Sequence, residues 1–452
     1  MNATMSSPFE IAEKAVRITC NMGANEAEAY VERSKVLEVF LERNDFKTVR
    51  VKWHAGIGIR AIYNKKVGFS YASSLTSSSV EEVCREAFKN AKLSPELKDW
   101  VSLPSPMPLP KVEGTFCNEI ANISESQLVD LAKRGYEAIF EADRRARCDD
   151  GKISAVVEET VIANSNGILV GEEGTAISGY IVCVASEAGK TSSFASSSGN
   201  ARMLSQFKPE DIGREAALLA VRSLNPRKIG SFKGKVLLEW MPVTSIILPV
   251  IGFSVNADMV QRRSSLWAGK IGEKVCSSNI SIVDDGTLPG GMATSRFDDE
   301  GVARRVTPII FNGVLKSYLY DSYTAFKESR ESTGNAGRAS YASMPSISFS
   351  NVFFNEGSKS IDELISEVDR GLLVGRFSGN VEPASGIFSG TVKQSVYIEN
   401  GEVKFAVEET MISGNIFQLL SGNVVLGKPR RMLGGAHVPP ILLEDVNIIS
   451  KT

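Results

Sequence analysis

Apolar residues recur at helical spacing over residues 8–22, where Ile11, Ala15, Val16, Ile18 and Thr19 share one face and Gly23 ends the stretch. The period then changes to two. Residues 26–32, 36–42, 48–52, 57–62 and 67–71 alternate between apolar and polar, which predicts a series of short strands. Helical spacing returns over 77–92, with Ser79 as N-cap and Glu81 and Glu82 in the first turn. These elements describe a small α+β unit built around a meander.

Prolines at 95, 104, 106, 108 and 110 mark a linker. The expected organisation is an N-terminal α+β domain over 1–100, a proline-rich linker over 101–115, a middle α+β domain over 116–230 and a third unit over 231–452. The middle unit opens with a predicted helix over 124–147, whose stripe is Leu128, Leu131, Ala132, Tyr136 and Phe140 and whose basic end is Arg144, Arg145 and Arg147. Further helices are expected over 209–225, 242–261 and 361–370. Asn166-Gly167, Asn312-Gly313 and Asn400-Gly401 each sit between alternating apolar runs, the strongest short-range sign of a two-residue hairpin turn. The fold class expected is α+β, with N-terminal α+β domains followed by a large C-terminal domain rich in antiparallel β structure.

Composition narrows the chemistry. A net charge of −2 gives no drive toward nucleic acid. The apolar run over 246–255 is far short of the ~20 residues of a spanning helix, and the first eight residues lack a signal peptide's basic start and apolar core. A cytoplasmic protein without a membrane segment is expected. Six cysteines form no Cys-x-x-Cys pair, which argues for free buried thiols. The two histidines, His54 and His437, belong to no metal- or base-bearing motif. Gly189-Lys190-Thr191 mimics the end of a phosphate loop, but Val184 stands where its opening glycine belongs. Asp284, Asp285, Asp298, Asp299 and Glu300 are read as solvated turn residues or acceptors for local amides.

Several ordered blocks carry a family resemblance. They are Gln261-Arg262-Arg263-Ser264-Ser265-Leu266-Trp267-Ala268-Gly269-Lys270-Ile271-Gly272-Glu273, Val283-Asp284-Asp285-Gly286, Asp298-Asp299-Glu300-Gly301-Val302, Asn312-Gly313-Val314-Leu315, Thr333-Gly334-Asn335-Ala336-Gly337-Arg338-Ala339-Ser340-Tyr341, Ser385-Gly386 and Ile398-Glu399-Asn400-Gly401. With these the chain resembles the TldD/PmbA family over essentially its whole length. The resemblance implies cytosolic proteins, historically called modulators of DNA gyrase, that act as a two-subunit zinc metalloprotease on peptides and unfolded segments. In the catalytic subunit, TldD, a His-Glu-x-x-x-His helix and a cysteine near the C-terminus bind and activate the metal. Those positions correspond here to Leu248, Pro249, Phe253 and Leu426, none of which can ligate zinc or activate water.

The resemblance therefore points to the TldE/PmbA branch: a subunit without metal or cofactor of its own, with zinc expected only in a TldD-like partner. Such a chain completes a substrate chamber and holds an extended peptide, as a heterodimer or a homodimer. Asn335, Gly337, Arg338, Ser340, Tyr341, Ser385 and Gly386 are the candidates for lining it. Two other readings stay open. One is a self-sufficient metallopeptidase with unrecognised ligands such as His437, and the other a noncatalytic homodimeric binding protein in a gyrase- or toxin-related pathway.

Overall fold

Ser7 accepts a hydrogen bond from the Glu10 amide while the Glu10 carboxylate accepts from the Ser7 amide, a capping box that opens helix α1 (Pro8–Asn21). A computed structural model describes residues 7–450, so the expectation about the chain's first residues falls largely outside the described region. Two long strands follow, β1 (Glu26–Glu42) and β2 (Asp45–Tyr63), then β3 (Lys66–Ala72). The segments 26–32 and 36–42, expected as separate strands, are one strand, and so are 48–52 and 57–62. Arg33, Ser34 and Lys35 interrupt the alternation without breaking the ladder, since their backbones pair with Ala55, His54 and Trp53. The turns at Arg43-Asn44 and Asn64-Lys65 have positive φ at both residues, the two-residue geometry that matches strand twist.

Helix α2 (Ser77–Leu93) begins at the expected residue, but its cap is Thr76, whose hydroxyl accepts from the Ser79 amide, so Ser79 lies inside the helix and Glu81 and Glu82 fall beyond its first turn. The proline-rich stretch has no regular ladder but is pinned to the sheet. Trp100 Nε1 and the Leu103 amide both donate to Glu26 at 2.8 Å, and Asn164 Nδ2 donates to the Pro104 carbonyl at 2.8 Å.

After α3 (Asn118–Ala121), helix α4 (Glu125–Ala142) stops before the basic cluster. Asp143 turns extended and binds the Arg145 guanidinium at 2.8 Å, and Ala146 already pairs with Ala185 in the next strand. Arg144, Arg145 and Arg147 therefore sit in a turn and a strand start, a correction to their expected place at a helix C-terminus. The strands β4 (Ala146–Asn164), β5 (Leu169–Glu187), β6 (Lys190–Thr191) and β7 (Ala195–Ala201) join the first three in one sheet. Its order is β3-β2-β1-β4-β5-β6, with β7 also along β5. Helices α1 and α2 cover one half of a face, over Val31, Ile57 and Ile59. Helices α3, α4 and α5 (Pro209–Arg222) cover the other half, over Leu37, Leu41, Ile153 and Ile181.

The C-terminal region holds a ten-stranded and a six-stranded sheet. In the first, strand Phe232–Leu238 runs parallel to Arg370–Val374 and antiparallel to Ile441–Ser450. Pairing into this ladder is why the helix expected over 361–370 is only Ile361–Ile365. The helix expected over 242–261 is also broken. A π turn, Val243–Ile247, leads into Leu248–Val255, and Asn256 then stops it and caps Ala257–Gln261. Pro249 lacks the N–H that an α turn would need there, and the wider turn before it accommodates the gap.

Asn312-Gly313 and Asn400-Gly401 have positive φ at both residues and join paired strands, as expected. At Asn166-Gly167 only the glycine is left-handed. Asn164 Oδ1 accepts from the Asn166 amide at 3.0 Å and the Ile168 amide at 3.1 Å, building a longer loop. The molecule is α+β, with N-terminal α+β units followed by a β-rich C-terminal region. Among the described residues no helix is long and apolar enough to cross a membrane.

Candidate functional site

The helix Leu248–Val255 presents only apolar and small side chains: Val250, Ile251, Ser254 and Val255 are buried, Leu248 and Phe253 half-buried, Pro249 exposed. Leu426 lies buried on strand Val424–Lys428. These four side chains do not fit a zinc ion, which needs imidazole, thiolate or carboxylate donors. Among the described residues no group of three or more His, Cys, Asp or Glu side chains is disposed to hold a metal.

His437 stacks on Phe353 with ring centroids 4.1 Å apart, and the Arg430 guanidinium lies 5.0 Å from the same phenylalanine ring. Burial, aided by the Arg430 charge, lowers its pKa to about 4. A neutral imidazole beside a guanidinium lacks the carboxylate company of a metal ligand. His54 belongs to a different sheet, exposed on β2 opposite Ser34.

The densest chemistry lies at the seam where β1 and β2 meet the C-terminal region. Arg60 Nη2 donates to Glu28 at 2.6 Å and to Glu300 at 2.9 Å, with all three side chains almost fully buried. Arg338 also donates to Glu28, its guanidinium 4.9 Å from the Tyr30 ring. The Arg338 amide donates to Asp299 at 2.6 Å. Asp298 accepts from the amides of Glu300, Val302 and Ala336 at 2.9–3.0 Å. Asn335 Nδ2 donates to Asp284 at 2.7 Å, and Ser350 bonds the same carboxylate through its amide and hydroxyl.

Burial, and then the Glu300 charge, pushes Asp298 up to about 7. The same two causes push Asp321 up to about 6. Burial also opposes ionisation of Glu300, but Arg60 holds it below the usual range. Asp284, Asp298 and Glu300, expected as solvated turn residues, are therefore buried. Of these three, only Asp298 accepts from local amides, those of Glu300 and Val302; Asp284 and Glu300 accept from Ser350 and Ser322, far along the chain.

Among the candidate lining residues, Asn335, Gly337, Arg338 and Tyr341 fall at or beside this seam. Gly337 pairs with Ser346 in a two-stranded ladder. The Tyr341 amide donates to Glu32 at 3.1 Å, and its ring lies on Gly56, where any Cβ would overlap it. Ser340 belongs to the adjacent turn, its amide facing Ser343 Oγ at 3.3 Å. Ser385 and Gly386 lie elsewhere, in the turn between strands Arg376–Glu382 and Ile387–Lys393. The Ser385 carbonyl accepts from Asn415 Nδ2 at 2.8 Å, and Gly386 has φ +73°. Sequence reasoning missed Glu28, Glu32 and Arg60. The available signal was a charge placed inside an alternating strand, which demands a partner once its face is covered.

A sheet-and-helix N-terminal half joined to a β-rich C-terminal region is a fold shared with a known metallopeptidase class. The crystal structure of TldE from Thermococcus kodakarensis matches with a TM-score of 0.88 at 27% identity, covering 97% of this chain and 99% of that one. Residues 27–91, 118–224 and 231–450 match the first, central and C-terminal domains of the PmbA/TldA metallopeptidases. An uncharacterised protein of Methanocaldococcus jannaschii is 32% identical over 416 residues, covering 92% of this chain and 94% of its own. A metalloprotease of the same organism is 29% identical over 377 residues, 81% of each chain. The chain belongs to the PmbA/TldA metallopeptidase family.

Proposed function

We propose that this chain is the subunit without zinc ligands in a two-subunit metalloprotease, and that it completes the substrate chamber of a TldD-like catalytic partner in the cytoplasm. The observation that carries the reading is the occupancy of the four family metal positions by Leu248, Pro249, Phe253 and Leu426. The Arg430 neighbour of His437 argues against a self-sufficient metal site built on that histidine.

The substrate in this reading is an extended peptide or unfolded segment, bound by strand addition. The outer edge of β2 supports it. From Asp45 to Gly56 that edge has no strand alongside it among the described residues, because β3 pairs only from Ile57 onward. An open edge binds an extended chain through main-chain hydrogen bonds, while alternate side chains give apolar contact. Val49, Val51 and Trp53, exposed at 37%, 43% and 74%, supply that contact. Ser340 and Ser385 contact the peptide directly, while Asn335, Gly337, Arg338, Tyr341 and the buried Gly386 hold the wall of the chamber in place.

The test is zinc content by mass spectrometry after metal exposure, paired with cleavage of an unfolded peptide with and without a TldD-like partner. Metal-free protein that gains activity only with the partner is expected. Stoichiometric zinc and cleavage by this chain alone would overturn the proposal.

A further inference from the structure

Cys148 on β4 and Cys183 on β5 stand directly opposite each other in the strand register. The backbone of Cys148 shows what kind of opposition this is. Its carbonyl accepts from the Asn44 amide at 3.1 Å and its amide donates to Asn44 Oδ1 at 2.9 Å, so neither group is spent on Cys183. Further along β5 the alternation reads the same from the other strand. Ala185, opposite Ala146, donates its amide to Ser192 Oγ at 2.9 Å and accepts the Ser192 amide at 2.8 Å.

Cys148 and Cys183 are therefore a non-hydrogen-bonded pair, the type in which Cα atoms approach to about 4.5 Å and side chains lie closest. A disulfide spans Cα separations of about 4.4–6.8 Å. Both side chains enter the core beneath α4, and both are free thiols. None of the other cysteines stands opposite a cysteine in the strand pairings of the described residues.

We infer that Cys148 and Cys183 are a redox-closable pair, a modification site at which an oxidant of the peroxide class installs a cross-strand disulfide. One thiolate sulfur attacks a peroxide oxygen, the O–O bond breaks, and hydroxide leaves to be protonated to water, giving a sulfenic acid. The second sulfur attacks the sulfenic sulfur, the S–S bond forms, and the sulfenic oxygen departs as water with the second thiol's proton. Two thiols are oxidised and one peroxide is reduced to two waters.

The cover over the pair is the tip of the β1–β2 hairpin. Tyr136 Oη on α4 donates to the Asn44 carbonyl at 2.9 Å, and Phe46 packs edge-on against the Tyr136 ring with centroids 6.0 Å apart. Burial, with Asp150 and Asp149 nearby, pushes the Cys148 thiol up to about 12, and burial pushes Cys183 up as well. Oxidation is accordingly slow at neutral pH and proceeds when the tip opens.

The experiment treats the full chain with hydrogen peroxide, blocks residual thiols under denaturing conditions and maps tryptic peptides. Cleavage after Arg147, Lys152 and Lys190 places the two cysteines in separate peptides, 148–152 and 153–190. The expected result is those two peptides joined with the loss of two hydrogens and released by dithiothreitol. The free thiol count falls from six to four and the thermal midpoint rises. Cys183→Ser is expected to lose the cross-link and keep its remaining thiols. The wild-type map decides the matter even if that variant folds poorly. Retention of all six thiols, thiol loss to sulfinic acid, or linkage to any other cysteine overturns the inference.

Discussion

Arg60→Met removes a guanidinium that is 4% exposed and bridges Glu28 and Glu300 at 2.6 and 2.9 Å. Glu28 keeps the Arg338 guanidinium, whereas Glu300 loses its one cationic partner and keeps Ser322, whose amide donates at 2.8 Å. Methionine fills most of the aliphatic volume, so the cost is mainly that of stranding a buried carboxylate, about 3–5 kcal/mol. The stranded group escapes by taking up a proton. Arg60 is what holds Glu300 below the usual range against its burial, so in the variant its pKa rises and the native state gains stability as pH falls. The destabilisation is therefore expected to be largest near pH 8 and clearly smaller near pH 5. Arg60→Met combined with Glu300→Gln is expected to recover about half of the loss or more, because removing both partners leaves no unpaired charge. Urea unfolding followed by tryptophan fluorescence reads this, with Trp100, whose ring lies 6.0 Å from the Arg60 guanidinium, one of four reporters. A loss below about 1 kcal/mol at pH 8, or an equal loss at both pH values, would refute the account.

Four further outcomes follow from the same geometry. Asp298 and Asp321 titrate at about 7 and 6 in the folded chain, against about 4 when unfolded. Their contribution is thus complete below about pH 4 and is lost progressively as pH rises to 6 and 7, so the thermal midpoint is expected to fall between about pH 4 and 7 and to level off above. His437, lowered to about 4, acts in the opposite sense. Its contribution is present above about pH 6.5 and is lost as pH falls, so His437→Phe should flatten the acid limb of a midpoint-versus-pH curve. Gly58→Ala places a Cβ against the Tyr341 carbonyl oxygen and is expected to cost about 1–3 kcal/mol with faster proteolysis at the seam; an unchanged midpoint would show that the seam yields. Trp53→Ser, at a side chain 74% exposed, should leave stability within about 0.5 kcal/mol while raising KM for an unfolded peptide in the assembled protease. An unchanged KM would remove the β2 edge from the binding surface.

What the sequence determined by itself was local or a matter of residue identity. The α1 segment, the turns at Asn312-Gly313 and Asn400-Gly401, and the residues standing at 248, 249, 253 and 426 depend on neighbours within a few positions or on no neighbour at all. Tertiary structure decided the rest. Arg33, Ser34 and Lys35 stay inside one strand because β2 pairs across them, and the helix expected over 361–370 gave way to a sheet ladder that begins with Arg370 opposite Glu399. Residues 298–300 look like a solvated turn until their partners are known. Arg60 is 32 positions from Glu28 and 240 from Glu300, and Glu28 is 310 from Arg338. Cys148 meets Cys183 only because a bulge follows it in the register with β5. Turn and cap preferences act through bonds between residues close in sequence and are written there. Burial of a charge, and the opposition of two thiols, depend on which distant backbone arrives alongside, and that is settled only when the sheets close.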